Sequence, residues 1–273
     1  MDITLGIDVG GSTTKVVGLR DGGLIGMKQV RAGDQMTALF GAIGSFIRER
    51  NHKLSDVSCI ALTGVGASFI DEELIYGIQT RKVNEFQAIG QGALYLSGLE
   101  EALVVSMGTG TAFVRAGKSE IVRIGGSGIG GGTVLGLASQ MLGKRKSDVD
   151  AILALAEDGK LENIDLMVRD IIGCEIPKLP SDLTAANFGK IGSTASDSDL
   201  ALGIINMVFE TVGMLAVFAL HNDTLRDVVL TGTLATFPQA ESVFAKFSDL
   251  TGVSFIIPEN AVFATALGAA LER

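Results

Sequence analysis

Two segments of the 273-residue chain share one pattern: an apolar strand, a glycine turn and a threonine-rich second strand. The first reads LGIDVGGSTTKVVGL from Leu5, and the second reads LVVSMGTGTAFVRAG from Leu103. Laid over each other, both place a polar residue and one spacer before the turn. An internal repeat of this kind predicts a duplicated structural unit. The chain is therefore expected to hold two similar β-rich units, one in each half.

The apolar pattern around the two turns predicts an α/β chain. In the first half it predicts strands at 3–9, 15–19, 24–31 and 57–62 and helices at 37–50 and 85–96. In the second half it predicts strands at 102–106, 111–116, 121–124, 227–231 and 253–257 and helices from 131, at 201–220, at 237–250 and from 261. The region 144–188 is expected to be helical and rich in loops. Two such β-β-β-α units would place their turns in one shared cleft and grip a polyphosphate from both sides.

The acidic balance of the chain limits what it can bind. The net charge is −9 and the isoelectric point is about 4.8, and no Lys/Arg cluster supplies the basic face that a nucleic-acid partner requires. An anionic ligand must be held by local groups: backbone N–H, a lysine, an arginine or a metal ion. The two cysteines, Cys59 and Cys174, are too few for a disulfide framework or a cysteine-rich metal site. The N-terminus lacks the features of a signal peptide, so we expect a cytoplasmic protein.

The stretch 201–220 is nearly all apolar and could be mistaken for a membrane span. Glu210 stands in its middle, and an acid at the centre of a span costs about 2.5–3.5 kcal/mol on insertion scales. No basic flank follows it. We therefore expect a helix buried on most of its faces, between lobes or between subunits, and no membrane association.

The first turn carries the residue types of a phosphate site. The candidates are Asp8, Gly10, Gly11, Ser12, Thr13 and Lys15. The glycines let the backbone approach an anion closely and direct N–H groups at it, the two hydroxyls are donors, and the lysine adds a positive charge. The aspartate could hold Mg²⁺ through waters. An ordinary hairpin with a surface aspartate and lysine is the alternative, and the pattern is not a Walker A loop.

Three glycine segments in the second half are further candidates for the same ligand. They are the second turn Gly108, Thr109 and Gly110, the triple glycine Gly130, Gly131 and Gly132, and Gly232 after strand 227–231. The triple glycine follows Arg123 and opens a helix, whose free N–H groups favour an anion, and arginine can fork onto a carboxylate or phosphate. A flexible loop is the alternative for the triple glycine. For Gly232, a contact beneath an adenine and a plain strand–helix turn fit equally well.

A catalytic base is the hardest residue to assign from the sequence. The chain has only two histidines, His52 in a charged loop and His221 at the end of the apolar helix, and neither is well placed. Glu85 begins a helix of otherwise apolar and small residues, where the helix dipole stabilises a carboxylate. It could accept a proton from a substrate hydroxyl. The local sequence alone also suits a simple acid at a helix N-terminus.

Taken together, the motifs resemble the acetate kinase, sugar kinase, heat-shock chaperone ATPase and actin superfamily, and within it the type II pantothenate kinases. The resemblance runs from Gly6 to the C-terminal helix. It is carried by GIDVGG with Lys15, NEF at 84–86, GTGT at 108–111, Arg123 with GGGT at 130–133, VRDI at 168–171 and LTAANFG at 183–189. It implies two lobes of duplicated ribonuclease-H-like units, 1–98 and 99–273, with an ATP cleft between them.

The resemblance also implies a reaction: ATP and pantothenate would give ADP and 4′-phosphopantothenate, the committed step of coenzyme A synthesis. Glu85 would be the base that takes the proton from the pantothenate hydroxyl, and Arg123 and Thr109 would hold pantothenate. Asp8 would organise Mg²⁺, and Lys15 would meet the γ-phosphate of ATP. The family is dimeric through a long apolar helix, which would account for 201–220.

Three other functions stay open. The first turn reads GGSTT where family members usually have GGT and an apolar residue, and it also resembles the GIDVGSTTTK-like turns of activator ATPases of 2-hydroxyacyl-CoA dehydratases. Such an activator needs two cysteines placed to ligate an iron–sulfur cluster, and neither Cys59 nor Cys174 lies in a glycine–cysteine ligand pattern. Another kinase of the superfamily, acting on a sugar, is a further alternative. A non-catalytic nucleotide sensor is the last.

Overall fold

A computed structural model of the chain describes residues 3–31, 33–71, 73–143, 148–172, 180–192 and 194–272. Its thirteen described strands are β1 Ile3–Val9, β2 Thr13–Arg20, β3 Gly23–Arg31, β4 Val57–Thr63, β5 Leu74–Ile75, β6 Ile78–Lys82, β7 Glu101–Met107, β8 Thr111–Gly117, β9 Ile121–Ser127, β10 Leu166–Met167, β11 Thr184–Ala186, β12 Asp227–Thr231 and β13 Ser254–Ile256. Its eight described α-helices are α1 Gln35–Glu49, α2 Glu85–Ser97, α3 Gly131–Met141, α4 Val149–Ala156, α5 Val168–Ile171, α6 Asp197–Ala219, α7 Pro238–Thr251 and α8 Ala264–Leu271. Short 3₁₀ turns connect several of them.

The two large sheets share a five-stranded topology, and β5 adds an edge strand to the first. The first has the order β3-β2-β1-β4-β6-β5 and the second the order β13-β12-β7-β8-β9. In each, the opening strand pairs antiparallel with the next strand and parallel with a later one: β1 with β2 and β4, and β7 with β8 and β12. The prediction of a two-lobed α/β fold built from duplicated units is confirmed.

Helix α1 covers one face of the first sheet. Its N-terminus is capped by Asp34, whose Oδ1 accepts a hydrogen bond from the Thr37 N–H at 2.8 Å. Its apolar side chains recur at helical spacing, so Leu39, Ile43 and Phe46 are buried together on the strands. This layer buries one face of the first sheet.

Helices α2 and α8 cross between the two sheets. Ile89 of α2 packs against strands of the second sheet, whereas Leu267 of α8 packs against β2 of the first. The two helices touch backbone to backbone, because a Cβ at Gly92 would lie 1.8 Å from the Ala264 carbonyl oxygen and a Cβ at Gly268 1.8 Å from that of Ala88. Each half of the chain thus places a helix on the other half's sheet. The predicted boundary near residue 98 stays a prediction, and the packing crosses it.

Helix α6 forms the centre of the second lobe. Its buried side chains join the core made by the second sheet with α3, α4 and α7, and Phe209 at its middle is fully buried. Met214, Leu215 and Phe218 face outward, and Phe218 is 66% exposed. The helix is long and apolar enough to span a membrane, but 56% of its most apolar window is buried inside the protein. The predicted helix therefore packs within the second lobe and not between the lobes.

The LTAANFG segment at 183–189 is held in place by hydrogen bonds, several of them to the buried Asp165. Its carboxylate accepts hydrogen bonds from the Phe188 N–H at 2.8 Å and from Asn206 Nδ2 on α6 at 3.2 Å. The side chain of Asn187 donates to Glu210 in the middle of α6 at 2.7 Å. These bonds hold the segment on α6, so its polar residues complete the fold of the second lobe.

Candidate active site

One cleft of about 490 Å³ brings together most of the residues selected from the sequence. The lining includes Asp8, Gly10, Gly11, Ser12, Thr13, Lys15, Glu85, Gly108, Thr109, Gly110, Arg123 and Gly232. They come from both lobes and from the N-terminus of α2. Gly130, Gly131 and Gly132 do not line it, and neither do the VRDI and LTAANFG segments.

The first turn, between β1 and β2, presents unused backbone donors. The Gly10 N–H donates to the Thr13 carbonyl oxygen at 3.0 Å and closes the turn. A Cβ at Gly10 would lie 2.8 Å from that oxygen, so this position requires glycine. The N–H groups of Gly11 and Ser12 have no acceptor within the described part of the chain. Two adjacent free donors of this kind form an anion-binding concavity.

The second turn, between β7 and β8, repeats this arrangement. The Gly108 N–H donates to the Gly110 carbonyl oxygen at 2.9 Å, while the N–H groups of Thr109 and Gly110 find no acceptor among the described residues. The turns face each other, because a Cβ at Gly11 would lie 3.8 Å from Thr109 Oγ1. The cleft thus has a pair of free N–H donors on each side.

The triple glycine supports the second turn. The N–H groups of Gly131 and Gly132, at the start of α3, donate to the carbonyl oxygens of Gly108 and Thr109 at 2.8 Å each. A Cβ at Gly130 would lie 2.7 Å from the Thr109 carbonyl oxygen. Close approach was the reason for expecting a ligand here, but the group that approaches is the chain's own turn. These helix N–H groups are therefore engaged, and the triple glycine acts through the position of Thr109.

Asp8 and Lys15 form a buried charge pair on the floor of the cleft. They face each other across β1 and β2, with Lys15 Nζ 3.3 Å from Asp8 Oδ2. Both are buried, so neither is the surface residue of an ordinary hairpin. No group of three or more His, Cys, Asp or Glu side chains that could hold a metal ion occurs in the described ranges. One carboxylate at the end of a strand fits Mg²⁺, which keeps most of its waters and takes one or two carboxylates.

Glu85 is placed at the cleft by the cap of α2. Asn84 Oδ1 accepts hydrogen bonds from the N–H groups of Phe86 and Gln87 at 2.9 and 3.3 Å, which fixes the start of the helix. Burial raises the pKa of the Glu85 carboxyl, the nearby negative charge of Asp8 raises it further, and Lys15 opposes both. A half-buried carboxylate with a raised pKa, on the wall of a cleft, has the properties of a general base.

Arg123 lines the same cleft as Glu85. It stands on β9, and its guanidinium carbon lies 5.3 Å from the centre of the Phe86 ring, a cation–π arrangement that orients the side chain. Arg123 is exposed, and no carboxylate pairs with it within the ranges that the structure describes. It can therefore bind an anionic group of a ligand.

The glycine after β12, Gly232, was a candidate from the sequence, but its counterpart after β4, Gly64, was not. Gly64 follows β4 with φ of +89°, and Gly232 follows β12 with φ of +88°; each begins a 3₁₀ turn. A Cβ at Gly64 would lie 2.4 Å from Asp8 Oδ1, and one at Gly232 would lie 2.5 Å from the Met107 carbonyl oxygen. The Thr-Gly dipeptides at 63–64 and 231–232 were the available signal. Both glycines let the chain pass directly against the strand that leads into the glycine turn of its lobe.

Two solved structures share the whole fold. The activator of the 2-hydroxyisocaproyl-CoA dehydratase from Clostridium difficile with bound ADPNP superposes with a TM-score of 0.69 at 15% identity, covering 98% of this chain and 93% of that chain. A ROK family glucokinase from Streptomyces griseus in complex with glucose and AMPPNP gives a TM-score of 0.59 at 13% identity, covering 98% of each chain. At these identities the likeness shows the fold alone.

Sequence comparison is more specific. The Fumble family model matches residues 101–243, just over half of the chain. The type II pantothenate kinase of Oceanobacillus iheyensis is 32% identical over 204 residues, covering 71% of this chain and 76% of the relative. That of Bacillus cereus strain G9842 is 24% identical over 280 residues, covering 99% and 98%. The chain belongs to the type II pantothenate kinase family, whose members are phosphotransferases.

Proposed function

We propose that this chain transfers the γ-phosphoryl group of ATP to the hydroxyl of pantothenate and so catalyses the first committed step of coenzyme A synthesis in the cytoplasm. The observation that carries the proposal is the meeting of Glu85 with two facing phosphate-type turns in one cleft. The near full-length relatives named type II pantothenate kinase support the choice of substrate. The two similar structures contain the nucleotide analogues ADPNP and AMPPNP, which supports the use of ATP.

The two turns would hold the polyphosphate. The free N–H groups of Gly11 and Ser12 on one side, and of Thr109 and Gly110 on the other, can donate to phosphate oxygens. Lys15 would meet the γ-phosphate, and Asp8 would hold Mg²⁺ through waters. The ion, when bound, supplies charge neutralisation for phosphoryl transfer, a reaction that depends mostly on positioning and electrostatics. The Thr13 hydroxyl adds a donor, and Gly232 lets the chain pass beneath the adenosine.

The wall formed by α2 and β9 would hold pantothenate. Arg123, oriented by the Phe86 ring and without a carboxylate partner in the described part of the chain, would bind its carboxylate. The exposed Thr109 would add a contact from the second turn. Glu85 would accept the proton of the acceptor hydroxyl as the oxygen attacks the γ-phosphorus.

We also propose a homodimer through the outward face of α6. Met214, Leu215 and Phe218 form an exposed apolar patch there, and its burial in an interface would remove apolar surface from water.

A coupled assay of ADP release tests the function. The chain is incubated with Mg²⁺ and ATP plus pantothenate, pantetheine, N-acetylglucosamine or buffer alone. Release that depends on pantothenate is the expected result. Release that pantothenate and pantetheine leave unchanged contradicts the proposal. Release stimulated by the sugar would point to the sugar-kinase alternative, and iron in the purified protein would point to the activator alternative.

The pH dependence of the reaction should report Glu85. A base must be ionised to act, and burial and Asp8 raise the pKa of Glu85. We therefore expect kcat/KM to fall on the acid side with an apparent pKa above that of an ordinary glutamate. The measurement is kcat/KM across the acidic range. An acid limb that persists unchanged in the residual activity of Glu85→Gln would assign it to another group.

Arg123→Gln should weaken pantothenate binding and leave ATP binding intact. The loss of a charge-assisted hydrogen bond to a carboxylate is expected to raise the KM for pantothenate by about 10-fold to 100-fold. Arg48→Gln, at an exposed position of α1 outside the cleft, is the matched control. Measuring KM for both substrates checks the prediction. An equal rise in the KM for ATP would place Arg123 on the nucleotide instead.

A further inference from the structure

The two Thr-Gly dipeptides share an unusual feature. Thr63 ends β4 and Thr231 ends β12, and each precedes a glycine with positive φ. Their side chains are 1% and 0% exposed, and neither hydroxyl has a hydrogen-bond partner within the described ranges. A buried hydroxyl without a partner costs about 1–3 kcal/mol. Because the same cost recurs at the corresponding place in both lobes, the surroundings of each hydroxyl show which of the two has a charged group to serve.

The sheet register places one of these hydroxyls next to the charge pair. Asp8 is the register partner of Thr63 on β4 and of Lys15 on β2. Register partners project to the same face of a sheet. The Thr14 hydroxyl also lacks a partner in the described part of the chain, but it projects to the opposite face, since neighbouring residues alternate. Thr63 is thus the unpartnered hydroxyl that shares a face with Asp8.

The Asp8 carboxylate is confined on both sides. Lys15 Nζ lies 3.3 Å from Oδ2, and the backbone of Gly64 packs against Oδ1, where a Cβ would come within 2.4 Å. Thr63 is close to Asp8 in the register and forms no direct hydrogen bond with it. The Thr63 hydroxyl oxygen has almost no solvent-accessible surface. It can therefore serve Asp8 only by a direct hydrogen bond, which a change of side-chain rotamer can form once Lys15 no longer holds Oδ2.

We infer that Thr63 is a positioning residue: once Lys15 turns to the γ-phosphate of bound ATP, the Thr63 hydroxyl donates a hydrogen bond to the Asp8 carboxylate and sets it for the hydrated Mg²⁺. This rests on the part of the proposed function in which Asp8 serves Mg²⁺. In the second lobe the register partner of Thr231 is Ser106, which is uncharged. The same buried hydroxyl there has no carboxylate to orient. Thr231 therefore serves as the control for the effect of removing a buried hydroxyl that has no carboxylate beside it.

Binding of the non-hydrolysable analogue AMPPNP, followed by calorimetry over a series of Mg²⁺ concentrations, tests the inference. Thr63→Val removes the hydroxyl and keeps the shape. We expect it to raise the Mg²⁺ concentration for half-maximal binding about fivefold to tenfold, the effect of one lost hydrogen bond. Thr63→Ser, which keeps the hydroxyl, should stay near wild type. Thr231→Val, equally buried, should leave the Mg²⁺ dependence unchanged.

Equal shifts in Thr63→Val and Thr231→Val would overturn the inference, because removal of either buried hydroxyl would then have the same effect. So would wild-type Mg²⁺ dependence in Thr63→Val, or AMPPNP binding by the wild-type chain that needs no Mg²⁺. Should Thr63→Val fail to fold, Thr63→Ala takes its place against Thr231→Ala. The measurement contains no acceptor. A chain that shows the expected shift but releases no ADP with pantothenate would refute the proposed substrate and leave the role of Thr63 standing.

Discussion

Glu85→Gln is expected to lower kcat for pantothenate phosphorylation by about 10²-fold or more, the lower end of what a positioned base contributes. Glutamine keeps the size of the side chain and cannot accept the proton. Binding of AMPPNP should persist, because both turns and the Asp8–Lys15 pair remain in place. ADP release and AMPPNP calorimetry on the same preparation separate the two effects. This pattern also distinguishes an enzyme from a nucleotide sensor.

The fold should tolerate the Glu85→Gln substitution. Because the pKa of Glu85 is raised in the folded state, its ionised form is less favourable there than in the unfolded chain. At neutral pH the ionised glutamate therefore lowers stability, and neutral glutamine should leave the melting temperature unchanged or slightly higher. Glu120→Gln, at an exposed turn outside the cleft, is the control and should retain full activity. Near wild-type turnover in Glu85→Gln would remove Glu85 as the base.

Gly268→Ala should be among the most damaging small substitutions outside the cleft. The new Cβ would lie 1.8 Å from the Ala88 carbonyl oxygen, so α2 and α8 must separate. Overpacking of this kind costs about 2 kcal/mol or more, and we expect the melting temperature to fall by about 5 °C or more. Activity should fall as well, because α2 carries Glu85 at its N-terminus. Thermal unfolding and ADP release measure both effects.

Gly44→Ala is the matched control for this prediction. Gly44 lies within α1, and a Cβ there would meet nothing within 4 Å. Alanine is a better helix former than glycine, so this variant should gain about 0.5–1 kcal/mol. The two glycine-to-alanine changes should therefore move the melting temperature in opposite directions. A stabilised Gly268→Ala variant would show that the two helices are not in backbone contact.

The local sequence pattern was sufficient to predict most of the strands and helices. The predicted strand 227–231 coincides with β12, and the predicted helix from Glu85 begins where α2 begins. The short strands β5 and β6 were not predicted, and β9 runs three residues beyond its predicted end, to Ser127. In β6 most residues are polar, and its Arg81 donates to the Ala269 carbonyl oxygen on α8. Its strand form thus depends on partners distant in the sequence, which a local pattern does not report.

By itself the sequence determined the two turns and their chemistry. Glycine, hydroxyl and charged residues act within a few positions of the chain, so the free N–H groups of the turns could be anticipated from local spacing. The pairing of Asp8 with Lys15 was not predicted and follows from the register of β1 and β2. Only the tertiary structure decided which surfaces meet. It placed Glu85 and Arg123 in one cleft, used the triple glycine to support Thr109, and set Thr63 beside Asp8. Those outcomes depend on helix crossing and on strand register, which join residues far apart in the chain and leave no local periodicity to read.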